Sequence, residues 1–309
     1  IIELNSIFPN KICKKLIKKI KNTTKVGINW LILLCHPDKN ISFFNDSTHE
    51  IASHPSKIID FYNKFQKKIS FQNFESVELS SSFLNDSKYF ICNNKSFKAI
   101  IDLGSPSPKY QPGHSHAETF SFELSLFKER VFVNTGISEY QVSKRRFLER
   151  STVAHNTACI ENTNSSQIWS SFRMARKAKV INISKFQKKK FSKIKMQHNG
   201  YSKLFKPLIH NREIDFHNNK IEFKDTIKHA RNFFVVYILH PKIKIKLKYN
   251  EYFLKLRNNK EIILFFHDSR VKLIDWYYAP KFGALIKTKC LHVMPNREVI
   301  KTSISWNKN

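Results

Sequence analysis

The sequence predicts a mainly β protein, a large antiparallel β-sandwich preceded by a short helical segment. Three observations predict it. The hydrophobic period switches from about 3.6 residues to about 2 near Val77. Many short alternating segments joined by polar turns follow. The composition is rich in Phe, 27 residues, and poor in Gly, 6 residues, which suits aromatic-faced strands with few tight glycine turns. At 309 residues and 41% hydrophobic, the chain can bury one large domain, or a small one plus a large one.

Taken in order, Ile12, Leu16, Ile17 and Ile20 lie among lysines with helical spacing and predict a helix over 11–22. The stretch HPDKNISFFNDS, residues 36–47, is rich in Asn, Asp and Ser and reads as a loop. A second helix follows Pro55, where Ile58, Ile59, Phe61, Tyr62 and Phe65 recur at helical spacing. The chain therefore divides into a helical part, residues 1–77, and a β part, residues 78–309. In the β part, 89–91 and 97–101 flank a turn at Asn93, Asn94 and Lys95, a hairpin signature. Phe120, Phe122, Leu124 and Leu126 alternate with Ser121, Glu123 and Ser125, which predicts a strand with one buried and one polar face. A turn at Lys128 and Glu129 leads into 131–133. The same grammar recurs at 213–216, 221–227, 233–239, 243–247 and 262–266, with no internal repeat.

The formal net charge of +30 invites a polyanion as partner, because a basic surface neutralises phosphates or other anions. The lysines are spread beside Asn and Ile along the whole chain, which reads as a composition bias. Attraction of an acidic polysaccharide or of DNA is the other reading. No helix-turn-helix, zinc-finger or ribonucleoprotein motif is present, so nucleic acid is not the expected partner. Cys13, Cys35, Cys92, Cys159 and Cys290 are odd in number and carry no CxxC pair, so they are expected free and mostly buried. The longest apolar run, around Trp30 to Cys35, is far shorter than the ~20 residues of a membrane span. The chain begins without Met and without a secretory signal, so we expect it to start inside a longer protein.

The chemistry concentrates between Asp102 and Ala178. QPGHSHAETFSFELS (111–125), VFVNTG (131–136), STVAHNT (151–157) and WSSFRMARKA (169–178) follow one another. His114 and His116 are two apart, so on a strand they share a face. A metal site on a sheet needs a further polar ligand from a neighbouring strand. His155 is the candidate third ligand, and Asn134, through its side-chain carbonyl, a fourth. Two surface histidines near a turn are the bland alternative.

These four segments, in this order, resemble the heparinase II/III-like family, whose β-domain carries a GHxHxD-type motif running into SFELS, then a VDPG or VNxG turn, an AAHNT segment and a WxxFRxxRRA segment. The resemblance implies a supersandwich β-domain, with residues 1–77 the tail of an (α/α) toroid whose larger part is absent. It implies a polysaccharide lyase acting on a uronic acid-containing polysaccharide by β-elimination. His114 is then catalytic, and His116, position 134 and His155 are metal ligands, zinc first. Asn134 departs from the Asp common in the family, which should weaken a divalent cation; Glu118 replaces the motif's Asp and keeps the carboxylate. If no metal binds, His116 and His155 would orient the catalytic wall by hydrogen bonding.

Tyr140, on the loop after Gly136, is a second catalytic candidate. Arg145, Arg146, Arg150, Arg173 and Arg176 concentrate here, and guanidinium geometry matches carboxylate or sulfate. We take Arg146, Arg150 and Arg173 as substrate-binding, with salt bridges to Glu149 and Glu161 as the structural alternative. A non-catalytic glycan-binding or assembly protein is the main rival reading. A glycoside hydrolase using Glu118 and Glu123 is disfavoured, because five residues apart on one strand they face opposite sides. The family also implies a periplasmic or cell-envelope setting tied to surface polysaccharide metabolism.

Overall fold

The structure, a computed structural model, describes residues 7, 14–66, 68–74, 76–108, 110–202, 208–230, 232–248 and 251–307. Ile12 and Cys13 lie outside the described residues. The first helix, α1 (Lys14–Leu34), runs twelve residues past the expected end at 22. Thr23, Thr24 and Gly27 are weak helix formers. Burial carries the helix across them, because Ile28 and Ile32 pack against Ile59 and Tyr62 of α2 (Pro55–Asn63). Pro55 occupies the first turn of α2, and the Ser56 N–H donates to the capping His54 Nδ1 at 3.2 Å.

A five-stranded antiparallel sheet runs in sequence order, β1 (Ser80–Leu84), β2 (Tyr89–Asn93), β3 (Phe97–Asp102), β4 (Phe122–Leu126) and β5 (Glu129–Phe132). The turn from β4 to β5 places Phe127 at φ 50° and Lys128 at φ 68°, the two left-handed residues of a tight hairpin. A four-stranded sheet has the order β17-β18-β13-β6, from β6 (Ala158–Ile160), β13 (Phe233–Ile238), β17 (Ser269–Tyr278) and β18 (Ile286–Pro295). β7 (Ile168–Trp169) and β8 (Arg173–Met174) form a short ribbon.

An eight-stranded sheet supplies the other large layer. It comprises β9 (Val180–Lys188), β10 (Phe191–His198), β11 (His210–His217), β12 (Lys220–Ile227), β14 (Lys244–Lys248), β15 (Glu251–Lys255), β16 (Glu261–His267) and β19 (Val299–Trp306). The main core lies between this sheet and the five-stranded one. Phe122 meets Phe223 with ring centroids 4.6 Å apart, and Phe97 stacks on Phe216 at 6.0 Å. Each fully buried ring contributes roughly 1.5–3 kcal/mol by leaving water. Cys35, Cys92, Cys159 and Cys290 are free and buried, as expected. Among the described residues no helix is long and apolar enough to cross a membrane.

One expectation fails in an instructive way. β4 is buried on both faces, not one. Its polar face is covered by the 36–46 loop, whose His36 reaches Ser125 Oγ from Nδ1 at 2.7 Å and Glu123 Oε2 from Nε2 at 2.8 Å. Arg130 fastens the same loop through Asp38 and the carbonyls of Asn40 and Ile41.

Candidate active site

The two motif histidines are not on a strand. They lie on the loop before β4, and the loop turns their rings to different environments: the side chain of His114 is 60% exposed, that of His116 1%. What brings the rings together is Asp46, from the 36–46 loop. Its Oδ2 meets His114 Nδ1 at 2.9 Å and its Oδ1 meets His116 Nε2 at 2.7 Å. A carboxylate only accepts, so the ring protons sit on His114 Nδ1 and His116 Nε2. His114 Nε2 is thereby left as a basic nitrogen on the exposed ring.

Behind Asp46 stands Arg146, on α3 (Lys144–Arg150), whose Nη1 and Nη2 donate to Oδ1 and Oδ2 at 2.5 and 2.8 Å. Burial alone would raise the Asp46 carboxyl, but the hydrogen bonds from His116 and Arg146 hold it well below the usual carboxylate range. Asn45 adds a second tie, its Oδ1 accepting from the His116 N–H at 3.1 Å and its own N–H donating to Glu118 Oε1 at 2.6 Å.

The inner side of the cluster is a donor set. His116, Glu118 and His155 place one ligand atom each within 4.8 Å of one another, all buried. His116 Nδ1, unprotonated because Nε2 serves Asp46, faces His155 Nε2 at 3.3 Å. His155 Nδ1 and Glu118 Oε2 lie 3.2 Å apart without alignment for a hydrogen bond, and both are buried without a partner. Burial, then the neighbouring His116, keeps the His155 ring neutral. Burial, then Asp102, pushes the Glu118 carboxyl up. Two neutral imidazoles and a carboxyl group that a cation would ionise, two of whose buried atoms lack partners, fit a divalent ion with nitrogen and oxygen ligands.

Asn134, the expected fourth ligand, is hydrogen-bonded to other groups. Its Oδ1 accepts from Ser121 Oγ at 2.7 Å, its Nδ2 donates to the Phe43 carbonyl at 2.8 Å, and its backbone N–H donates to Glu123 Oε1 at 2.8 Å. The two ends of the amide tie Ser121, just before β4, to Phe43 of the 36–46 loop. Glu118, from the loop rather than from β4, joins the two histidines in the donor set. Glu123 is engaged by His36, so the two glutamates do not present a carboxylate pair to a glycosidic bond.

Two of the three arginines expected at the substrate are also placed otherwise. Arg146 is buried on Asp46, and Arg150 is buried on the carbonyls of Ser115 and Ser170. Neither pairs with Glu149, which accepts from Ser138. Both brace the histidine loop from within. Arg173 is exposed, its guanidinium 4.6 Å from the Trp169 ring centroid. Tyr140 packs beside the exposed histidine, 6.0 Å from the His114 ring and 5.2 Å from Phe172. Burial, then Asp46, raises its phenol. Gly136 brings this loop in at φ 78°, where a Cβ would lie 2.1 Å from the Ala279 carbonyl oxygen.

A family model described as heparinase II/III-like, C-terminal matches residues 77–307. The chain belongs to that family. Among solved structures, the heparinase II/III-like chain is similar to a heparan sulfate lyase HepC from Pedobacter heparinus, at 15% identity and TM-score 0.67, over 91% of this chain and 46% of that one. It is similar to a heparinase III at 14% identity and TM-score 0.69, over 91% of this chain and 48% of that one. A second heparinase III gene product aligns at 13% identity and TM-score 0.71, over 94% and 47%. At these identities the likeness shows the fold, and the chain spans about half the length of those proteins. No curated protein sequence matches it.

Sequence reasoning missed Asp46 and Asn45 as site residues. The only available signal was the polar NDS at the end of the 36–47 loop, which says turn and nothing about where the turn docks.

Proposed function

We propose that this chain is the β-domain of a polysaccharide lyase that cleaves an acidic, uronic acid-containing polysaccharide by β-elimination. The observation that carries the reading is His114: an exposed ring, anchored through Nδ1 by a buried carboxylate, with its Nε2 left basic beside Tyr140. The name heparan sulfate lyase, printed for HepC, supports an acidic glycan as substrate class.

Elimination removes a proton from the ring carbon beside the uronic carboxylate. The electron pair forms a carbon–carbon double bond, the bond to the bridging oxygen breaks, and that oxygen takes a proton. His114 Nε2 is the base, with Asp46 stabilising the imidazolium that forms. Tyr140 supplies the proton to the leaving oxygen, its phenol raised and therefore protonated at neutral pH. Arg173 and Trp169 hold the acidic chain at the rim. His116, Glu118 and His155 would hold a divalent metal, zinc first. Bound there, it would stiffen the loop that carries His114 and add positive charge behind it.

We further infer that residues 1–77 end an (α/α) toroid and that the protein works in the periplasm or cell envelope, both readings resting on the family. Incubation of the protein with several uronic acid polymers tests the activity, read as ultraviolet absorbance of the unsaturated sugar. Absorbance that rises with wild type and not with His114→Ala supports it. Asn134, where many family members carry Asp, favours a second reading, a glycan-binding or assembly protein that retains the fold. Binding to such polymers with no absorbance on any of them selects that reading.

A further inference from the structure

We propose that a groove on the far side of α3 from the histidine cluster is a second binding site, which takes a segment of acidic glycan. Its floor is the outer face of the four-stranded sheet. There Lys272 on β17 lies opposite His292 on β18, and Arg270 opposite Met294. Phe234 of β13 stacks on the His292 ring, centroids 4.5 Å apart and planes 25° apart. One wall is α3 itself, through Lys144, Phe147 and Leu148. The helix thus divides two environments, with Arg146, Glu149 and Arg150 turned inward and buried behind the histidine loop.

Size, charge and surface chemistry agree on the ligand. The groove has a volume of about 1150 Å³, above the ~300–1,000 Å³ typical of small-molecule sites, so it suits an oligomer. Four cationic side chains line it, Lys144, Arg270, Lys272 and Arg297, against one carboxylate, Glu161. That carboxylate is already engaged by the Asn232 amide at 3.1 Å. Among the described residues Lys144, Arg270 and Lys272 have no carboxylate partner, so the concave site presents positive charge that favours an anion. His292 Nε2 is buried without a hydrogen-bond partner, and burial followed by Lys272 lowers the ring to about 4, so it stays neutral. The stacked Phe234 and His292 rings give the floor a flat apolar face that suits a sugar ring. The cations suit its carboxylate or sulfate.

The choice of a glycan over another polyanion rests on the lyase reading, and the test separates the two. Affinity is measured for a long uronic acid polymer, a tetrasaccharide of the same polymer and a DNA duplex. The measurements use the His114→Ala protein, which does not cut, with and without Arg270→Ser plus Lys272→Ser. The expected result is a long polymer that binds more tightly than the tetrasaccharide, and about tenfold loss of that advantage in the double variant. The melting temperature of the double variant should stay unchanged. Lys144→Ser, on the helix wall, gives the same loss independently should the sheet variant fold poorly. Equal polymer affinity with and without the substitutions overturns the site, even if wild type cleaves. Loss of polymer binding in the double variant upholds the site even if wild type cleaves nothing, in which case the lyase reading alone falls. DNA that binds as tightly as the polymer and is lost alongside it overturns the glycan assignment.

Discussion

Asp46 and Arg146 are one hundred residues apart in sequence and form a bidentate ion pair buried on both sides, with contacts of 2.5 and 2.8 Å. The pair is what fixes the exposed His114 and the buried His116 on one carboxylate. Breaking it from the acid side leaves a guanidinium buried without a counter-charge. Asp46→Ala should therefore cost about 3–5 kcal/mol of stability, read by denaturant unfolding. Combining it with Arg146→Met should recover much of that loss. A double variant no more stable than Asp46→Ala would show that the pair is not the source.

His114 and His116 should separate function from structure. His114→Ala removes an exposed ring, so the melting temperature should hold while elimination falls by at least about 100-fold, the usual scale of a lost general base. His116→Ala, in a buried donor set, should lower metal content and melting temperature together. Metal analysis and calorimetry on the two purified variants decide this.

The identity of the third donor is open to direct measurement. Glu118→Gln should lower divalent metal bound per chain, because it removes a carboxylate from the His116 and His155 set. Asn134→Ala should leave metal content unchanged and destabilise the fold by about 1–3 kcal/mol, since it strips hydrogen bonds from Phe43 and Ser121. The opposite pattern of metal contents would return Asn134 to the ligand set.

Acid sensitivity should trace to Asp225, buried on Arg212 at 2.7 Å and on His210 at 2.7 Å. Burial raises this carboxyl, but the Arg212 charge and the His210 hydrogen bond outweigh it and lower it below its ordinary value. A lowered folded value means that its contribution is complete above the unfolded value of about 3.9 and is lost as pH falls through the folded one. Wild type should lose stability steeply below about pH 4. Asp225→Asn should be less stable at neutral pH, through the unpaired Arg212, and flatter on the acid limb. A variant with the wild-type acid slope would remove Asp225 as the cause.

Gly136→Ala should fail to fold or lose several kcal/mol, because the new Cβ would lie 2.1 Å from the Ala279 carbonyl oxygen in a backbone at φ 78°. Gly283→Ala, also at positive φ but with nothing within 4 Å of its Cβ, should cost only the backbone strain of about 1–2 kcal/mol. Thermal melts of the two variants compare crowding with strain.

Alternation at 120–126, the turn at 128 and the hairpin around Asn94 were readable from local chemistry, because side-chain period and turn residues act over a few positions. So was the family, from the GHSH, VNTG, AHNT and WSSFR segments in their order. The burial of both faces of β4 was not readable, since Glu123 and Ser125 are covered by His36 from 87 and 89 residues away. Nor was the extension of α1 past 22, which depends on Tyr62 and Ile59 arriving against Ile28 and Ile32.

Residue type and spacing alone predicted that this chain is β-rich after about residue 77 and that Cys35, Cys92, Cys159 and Cys290 stay unpaired, and they singled out His114, His116 and His155 as candidates. Tertiary contact decided the surroundings: Asp46 as the carboxylate joining two histidines, Glu118 beside His155, and Arg146 and Arg150 buried rather than at the surface. A charge or an amide takes its surroundings from the partner that desolvates it, and these partners lie 20 to 100 residues away along the chain, beyond the reach of any local pattern.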